Sequence, residues 1–284
     1  MAVARHDPGP VGAVRALASQ VHPVFMLPPL ATSWFGAVLG GLPSAGLAVL
    51  HAAAAFFALY TAHVTDGYVD FHVRAEDDDH PLTARGCWLA LAGASMAFFI
   101  CLGAIAVLVD VWAGLLTLPG WLIAVNHAPQ LDTNPVGATA GYPLGIGFAL
   151  LGGYYVQATT LGPTVLALAA VFVTILSGIK IIDDAQDYDY DSSIDKRTVA
   201  VVLGPTRARL TAFGLMIGGM VAVVALALAL PGIPPAAGLA AVAFGAVAAV
   251  AWRADPETAT MLLIRGSYLF LAVLVAAVWF RPLA

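Results

Sequence analysis

The residues most able to do chemistry are two runs of aspartates in an otherwise apolar chain. In the first, Asp66 and Asp70 stand four apart. On a helix such a pair shares one face, with side chains about 6 Å apart. Two like charges so placed repel each other unless a cation bridges them, and a pure carboxylate set selects a hard one. Magnesium (Mg2+) fits, because it takes one or two carboxylates and fills its shell with water and phosphate oxygens. Asp77, Asp78 and Asp79 follow in the same run and read as a solvated acidic loop. In the second run, Asp183, Asp184, Asp187 and Asp191 recur at helical spacing and share a face, while Asp189 points elsewhere. Lys180 lies one turn before Asp184, and Lys196 and Arg197 follow the run. Acids that hold metal beside bases that contact phosphate oxygens suit a ligand that is both anionic and metal-bound. An EF-hand is excluded, since the run has no central Gly and no terminal Glu. A P-loop is excluded because no Gly-x-x-x-x-Gly-Lys occurs.

The elements that must carry these residues are membrane helices. Apolar types make up 61% of the 284 residues and charged types 10%, against about a quarter charged in a soluble domain. Mean hydropathy is +0.89. Stretches of about 20 apolar residues span a bilayer, and on that rule the sequence predicts nine spans: 22–41, 45–65, 86–108, 111–129, 142–159, 163–183, 208–230, 235–252 and 260–280. Lys and Arg concentrate in cytoplasmic loops. With the N-terminus inside, eleven of the twelve basic residues fall on the inner side and only Arg281 on the outer. Both acidic runs then face the cytoplasm. The expectation is an all-α, polytopic bundle forming one domain over residues 1–284, in the plasma membrane. The ends of the second and sixth spans both carry aspartates four apart, a weak internal repeat.

Other features exclude classes. The net charge of −5 gives nothing to attract nucleic acid. Cys87 and Cys101, fourteen apart, are too few and too distant for a disulfide framework or a cysteine metal site, and read as packed thiols. The N-terminus has no short apolar core with a cleavage site. A transporter would need ionisable groups near mid-membrane, and the centres of the spans carry essentially none.

On these motifs the chain resembles the UbiA superfamily of intramembrane prenyltransferases. Asp184, Asp187 and Asp191, followed by Lys196, Arg197 and Thr198 and ending in Leu203 and Gly204, look like the family's second motif. Asp66, Asp70 and the Pro81-Leu82 pair look like the first, with one inserted residue. The stretch from Gly152 to Gln157 is similar to menaquinone-branch members, which prenylate dihydroxynaphthoate. The chain departs from the family pattern at Ala62 (Asn there), at His80 and His22 (Arg there) and at Asp195 (Gly there).

The resemblance implies nine helices and a prenyl diphosphate held through Mg2+. Asp66, Asp70, Asp184, Asp187 and Asp191 are the expected metal ligands, and Asp66, Asp70, Asp187 and Asp191 the expected catalytic set. Arg74, Lys180, Lys196 and Arg197 would contact phosphate. Tyr142, Tyr154, Tyr155 and Gln157 would line the pocket, and Asn126 or His127 would position an aromatic, quinone-precursor-like acceptor. The metal would stabilise the diphosphate as a leaving group, and the helices would shield the allylic cation from water. A terpene cyclase, or a transferase to a glycerol-phosphate lipid, shares every aspartate and remains an alternative.

Overall fold

The computed structural model describes residues 2–7, 9–194, 196–230 and 232–281; Asp195, noted above as a departure, lies outside the described residues. Among the described residues the fold is helical, and the sole β feature is an isolated bridge between Ala4 and Leu82. The helices are α1 (Pro10–Ala18), α2 (Pro23–Leu39), α3 (Ala45–Gly67), α4 (Ala84–Leu108), α5 (Val111–Gln130), α6 (Pro135–Ala158), α7 (Pro163–Asp184), α8 (Tyr188–Asp191), α9 (Val199–Leu203), α10 (Pro205–Ala229), α11 (Gly238–Ala251) and α12 (Pro256–Phe280).

Local chemistry sets most of the starts. The side chains of Ser44, Thr83, Asp110, Asn134 and Asp255 accept the first free N–H groups of α3, α4, α5, α6 and α12, the usual remedy for an uncapped helix end. Pro occupies the first turn of α6, α7, α10 and α12, where its missing N–H costs nothing. The expected start of the fifth span at residue 142 is late by a turn and more. Asn134 and Pro135 start α6, and Pro143 sits inside it.

Seven of the described helices are long and apolar enough to cross a membrane: α3 with its extension to Val73, α4, α5 to Ala128, α6, α7, α10 and α12. The two remaining predicted spans correspond to shorter apolar helices, Pro23–Leu39 and Pro235–Ala251. These helices pack in a circuit in chain order from α2 to α7 and on through α10, α11 and α12, which returns to α2. The outward surface is apolar: Val107 is 85% exposed and Leu228 80%. An apolar perimeter around apolar helices is the surface of a multi-pass membrane protein.

Close helix approach depends on small residues. A methyl group added at Gly153 would stand 2.0 Å from the Ser33 carbonyl oxygen, and one at Gly36 would stand 2.2 Å from that of Leu150. The backbones of α2 and α6 therefore meet through these two glycines.

Candidate active site

The C-terminal end of α3 does not remain α-helical. Tyr68–Val73 widen into a π turn, closed by the Arg74 N–H on the Val69 carbonyl at 2.8 Å. Such turns are rare and occur preferentially at functional sites. Asp66 precedes the turn and Asp70 lies within it. The chain then reverses at Ala75, whose φ of 54° is left-handed, a strained conformation for a residue with a Cβ. The segment after it is tied down by the N-terminus. The Arg5 N–H donates to the Pro81 carbonyl and the Thr83 N–H to the Val3 carbonyl, each at 2.9 Å. The Arg5 guanidinium lies 4.2 Å above the Phe71 ring.

A cavity of about 600 Å³ opens at this end of the bundle. Asp66, Asp70 and Asp77 line it from the first run, and Lys180 and Asp183 from α7. His22, His63, His80, His127, Tyr142 and Tyr268 complete its polar wall. Tyr142 and Tyr268 hold the start of α2 by donating to the carbonyls of Phe25, at 2.9 Å, and Val24. A narrower apolar pocket of about 60 Å³ continues inward, sharing Leu59, Ala62, His127 and Tyr142 with the cavity and reaching Phe98 and Thr117.

Two cations tie the runs to their surroundings. Lys180 Nζ sits 2.6 Å from Asp184 and 3.1 Å from Asp183. Asp184 thus reaches the cavity wall through Lys180, while Asp183, left off the expected ligand set, lines the cavity directly. Lys196 Nζ is 3.2 Å from Glu76 and acts electrostatically on both Asp70 and Asp191. It thereby joins the two runs. Asp187 is exposed and Asp191 is buried, and neither lines the cavity itself. Burial, opposed by Lys196 and reinforced by Asp184 and Asp187, pushes the Asp191 carboxyl up to about 6. His127 Nδ1 approaches Asp66 at 3.8 Å.

Several expected site residues lie elsewhere. Gln157 donates to the Ser44 carbonyl at 2.8 Å and accepts from the Ser44 N–H at 2.9 Å, at the opposite end of the bundle. The Tyr155 hydroxyl donates to Asp110, the cap of α5, at 3.1 Å, also at that end. Gly152 and Gly153 pack against His51 and Ser33, so this stretch serves helix contact. The Asn126 amide turns back to the Leu122 carbonyl of its own helix at 2.7 Å, and its neighbour His127 reaches the cavity instead. Arg74 spans Asp70 and Glu76, each at 3.7 Å, and donates to the Ala128 carbonyl at 2.8 Å. It braces the first run rather than lining the cavity. Arg197 is exposed and outside the cavity wall. Glu76 and His63 carry weight that the sequence reading did not give them; His63 stands at helical spacing from Asp66, while nothing in the pattern singles out Glu76.

The donors at the mouth are carboxylates from two helices, with ammonium groups between them. That set fits a hard divalent cation shared with a phosphate ligand and does not fit a soft one.

No protein-family model matches the sequence, and no curated protein matches it significantly. Solved structures do. A UbiA homologue from Aeropyrum pernix K1 superposes with a TM-score of 0.74 at 19% identity, over 90% of this chain and 98% of that one. A UbiA homologue from Archaeoglobus fulgidus, bound to GPP and Mg2+, gives 0.68 at 18% identity, over 94% and 99%. A digeranylgeranylglyceryl phosphate synthase gives 0.69 at 13%, over 94% and 99%. The chain shares their fold over nearly its whole length.

Proposed function

We propose that this chain is a magnesium-dependent intramembrane prenyltransferase of the UbiA type, moving an isoprenyl group from a prenyl diphosphate to a hydroxylated aromatic acceptor. One observation carries the reading. Acidic runs from α3 and α7 meet, with Lys180 of α7 on the wall beside them, at the mouth of a cavity that continues into an apolar pocket. A diphosphate belongs at that mouth and a prenyl tail in that pocket. The Archaeoglobus homologue of the same fold was captured with a prenyl diphosphate and Mg2+.

Bound Mg2+ would neutralise the diphosphate and make it a better leaving group. Asp66, Asp70, Asp187 and Asp191, with Asp183 and Asp184 beside Lys180, are the residues that would hold it. Lys180 lies on the cavity wall, placed to contact a phosphate oxygen. The apolar walls keep water from the reacting carbon. His63 donates from Nδ1 to the Gln20 carbonyl at 3.3 Å; a carbonyl can only accept, so Nε2 is the basic nitrogen. It is placed on the cavity wall one turn before Asp66, to take the proton that an aromatic ring loses on alkylation.

The cavity wall also bears on the acceptor. Among the described residues, Lys180 is the only Lys or Arg that lines it. An acceptor with its own phosphate would need more positive charge, so the likeness to the glyceryl phosphate synthase carries over in fold and not in acceptor. Nine spans, a cytoplasmic N-terminus and site, and a plasma-membrane location complete the proposal, on the strength of the basic residues gathered at this end.

The test is product analysis. Purified protein is given farnesyl or geranylgeranyl diphosphate with Mg2+, with and without dihydroxynaphthoate, and lipid products are identified by mass spectrometry. A prenylated naphthoate supports the reading. Diphosphate release with only hydrocarbon or alcohol products favours the cyclase, and no release removes the prenyl-transfer reading.

A further inference from the structure

Beside the first acidic run stands a second group of ligands that the proposed reaction does not use. His72 comes from the π turn, His80 from the segment that follows, and Cys87 from the first turns of α4. Their ligand atoms all lie within 4.8 Å of one another. Cys87 Sγ stands 4.0 Å from His80 Nδ1. His72 Nε2 and His80 Nδ1 each lie 3.2 Å from the Leu82 carbonyl oxygen. The His80 and Cys87 side chains are buried, at 5% and 0% exposure.

We infer that His72, His80 and Cys87 form a site for a thiolate-binding divalent cation of the zinc class, separate from the carboxylates at the cavity mouth. One thiolate and two imidazoles are the donors that a borderline-soft cation prefers and that magnesium does not. In a tetrahedral zinc shell, with bonds of about 2.0–2.3 Å, ligand atoms sit roughly 3.5 Å apart. The observed cluster therefore needs to close by little more than an ångström. Binding expels the Cys87 thiol proton to water as the sulfur–metal bond forms.

The position gives the metal a purpose. His80 is wedged between Cys87 and Gly67, where an added methyl group would meet its Nε2 at 2.4 Å. His80 and Pro81 also form cavity wall, as does Asp77. A cation joining π turn, connecting segment and α4 would clamp that wall in place beside the carboxylates. Without it, the same geometry is two histidines resting on the Leu82 backbone beside a buried thiol, and the experiment separates the two states.

Purified full-length protein is stripped with chelator under reducing conditions and titrated with Co2+ alone, in excess Mg2+. The expected result is a thiolate-to-cobalt charge-transfer band with visible bands of four-coordinate intensity, saturating at one equivalent and displaced by Zn2+. The band disappears in Cys87→Ala, weakens at least tenfold in affinity in His72→Ala, and persists in Cys101→Ala. A folded protein with no such band, or a band that survives Cys87→Ala or vanishes with Cys101→Ala, overturns the site. If Cys87→Ala fails to fold, X-ray absorption of the zinc-loaded wild type decides: sulfur and imidazole in the first shell support the site, and oxygen-only ligation removes it.

Discussion

Asp66 and Asp70 owe their place at the cavity to position rather than to acidity alone. Asp78, eight residues past Asp70, is exposed and does not line the cavity. Asp66→Asn, Asp70→Asn, Asp187→Asn and Asp191→Asn should each lower magnesium-dependent turnover by about 100-fold or more, since each removes charge from the ion that stabilises the leaving group. Asp78→Ala should stay within about twofold on the same assay, as surface changes away from such features do little. His63→Gln should separate the two halves of the reaction: diphosphate release persists, while adduct yield falls and prenyl alcohol rises. An unchanged adduct yield would remove His63 from the mechanism. Asp191 supplies a pH prediction. With its carboxyl raised to about 6, the neutral form prevails below that value, and a neutral carboxyl is a poor ligand. Magnesium affinity, measured by activity against metal concentration, should therefore fall by up to about tenfold per unit as pH drops below 6.

Residue by residue, the sequence made the aspartates legible because charge in helical register is conspicuous in an apolar chain. It did not separate Asp183 from Asp184, since a shift of one residue leaves the spacing equally helical. Tyr155 and Gln157 were carried into the pocket by the resemblance, although the expected fifth span, 142–159, already ends on the side away from the acidic runs; their partners Asp110 and Ser44 lie at that end. The cysteines were weighed only against each other, which hid the histidines that Cys87 meets in space.

At the scale of elements, the helices were legible wherever apolar runs were long, and their caps explain their starts. The π turn was not legible, because periodicity reports 3.6 residues per turn and an inserted residue looks like noise. The N-terminal segment that grips residues 81–83 was also hidden, being held by backbone bonds that no side-chain pattern announces. Two substitutions test the element packing. Gly153→Ala places a methyl 2.0 Å from the Ser33 carbonyl, where backbone must move; overpacking of this kind costs about 1–3 kcal/mol. The thermal midpoint in detergent should fall clearly below wild type, and an unchanged midpoint would mean α2 and α6 are not packed this closely. Gly67→Ala meets the His80 ring and should displace the cavity wall, raising the KM for prenyl diphosphate more than it lowers the midpoint.

For the whole molecule, the asymmetry between ends is the organising fact. One end carries the cavity, both acidic runs and the cations that join them; the other carries short turns and the Gln157–Ser44 and Tyr155–Asp110 contacts. The apolar perimeter keeps the bundle in lipid, and the apolar pocket leads inward from the mouth. The likeness to UbiA structures spans nearly the whole chain, so the shared fold covers nearly the entire bundle.

The central claim is that the two acidic runs act together as one magnesium site for a prenyl diphosphate. Its most direct test is diphosphate release from geranylgeranyl diphosphate, with and without Mg2+, by wild-type protein and by Asp66→Asn and Asp187→Asn. Release that requires Mg2+ and is lost when either aspartate is replaced is the predicted result. Release that ignores Mg2+, or that survives loss of the carboxylate on either run, would contradict it.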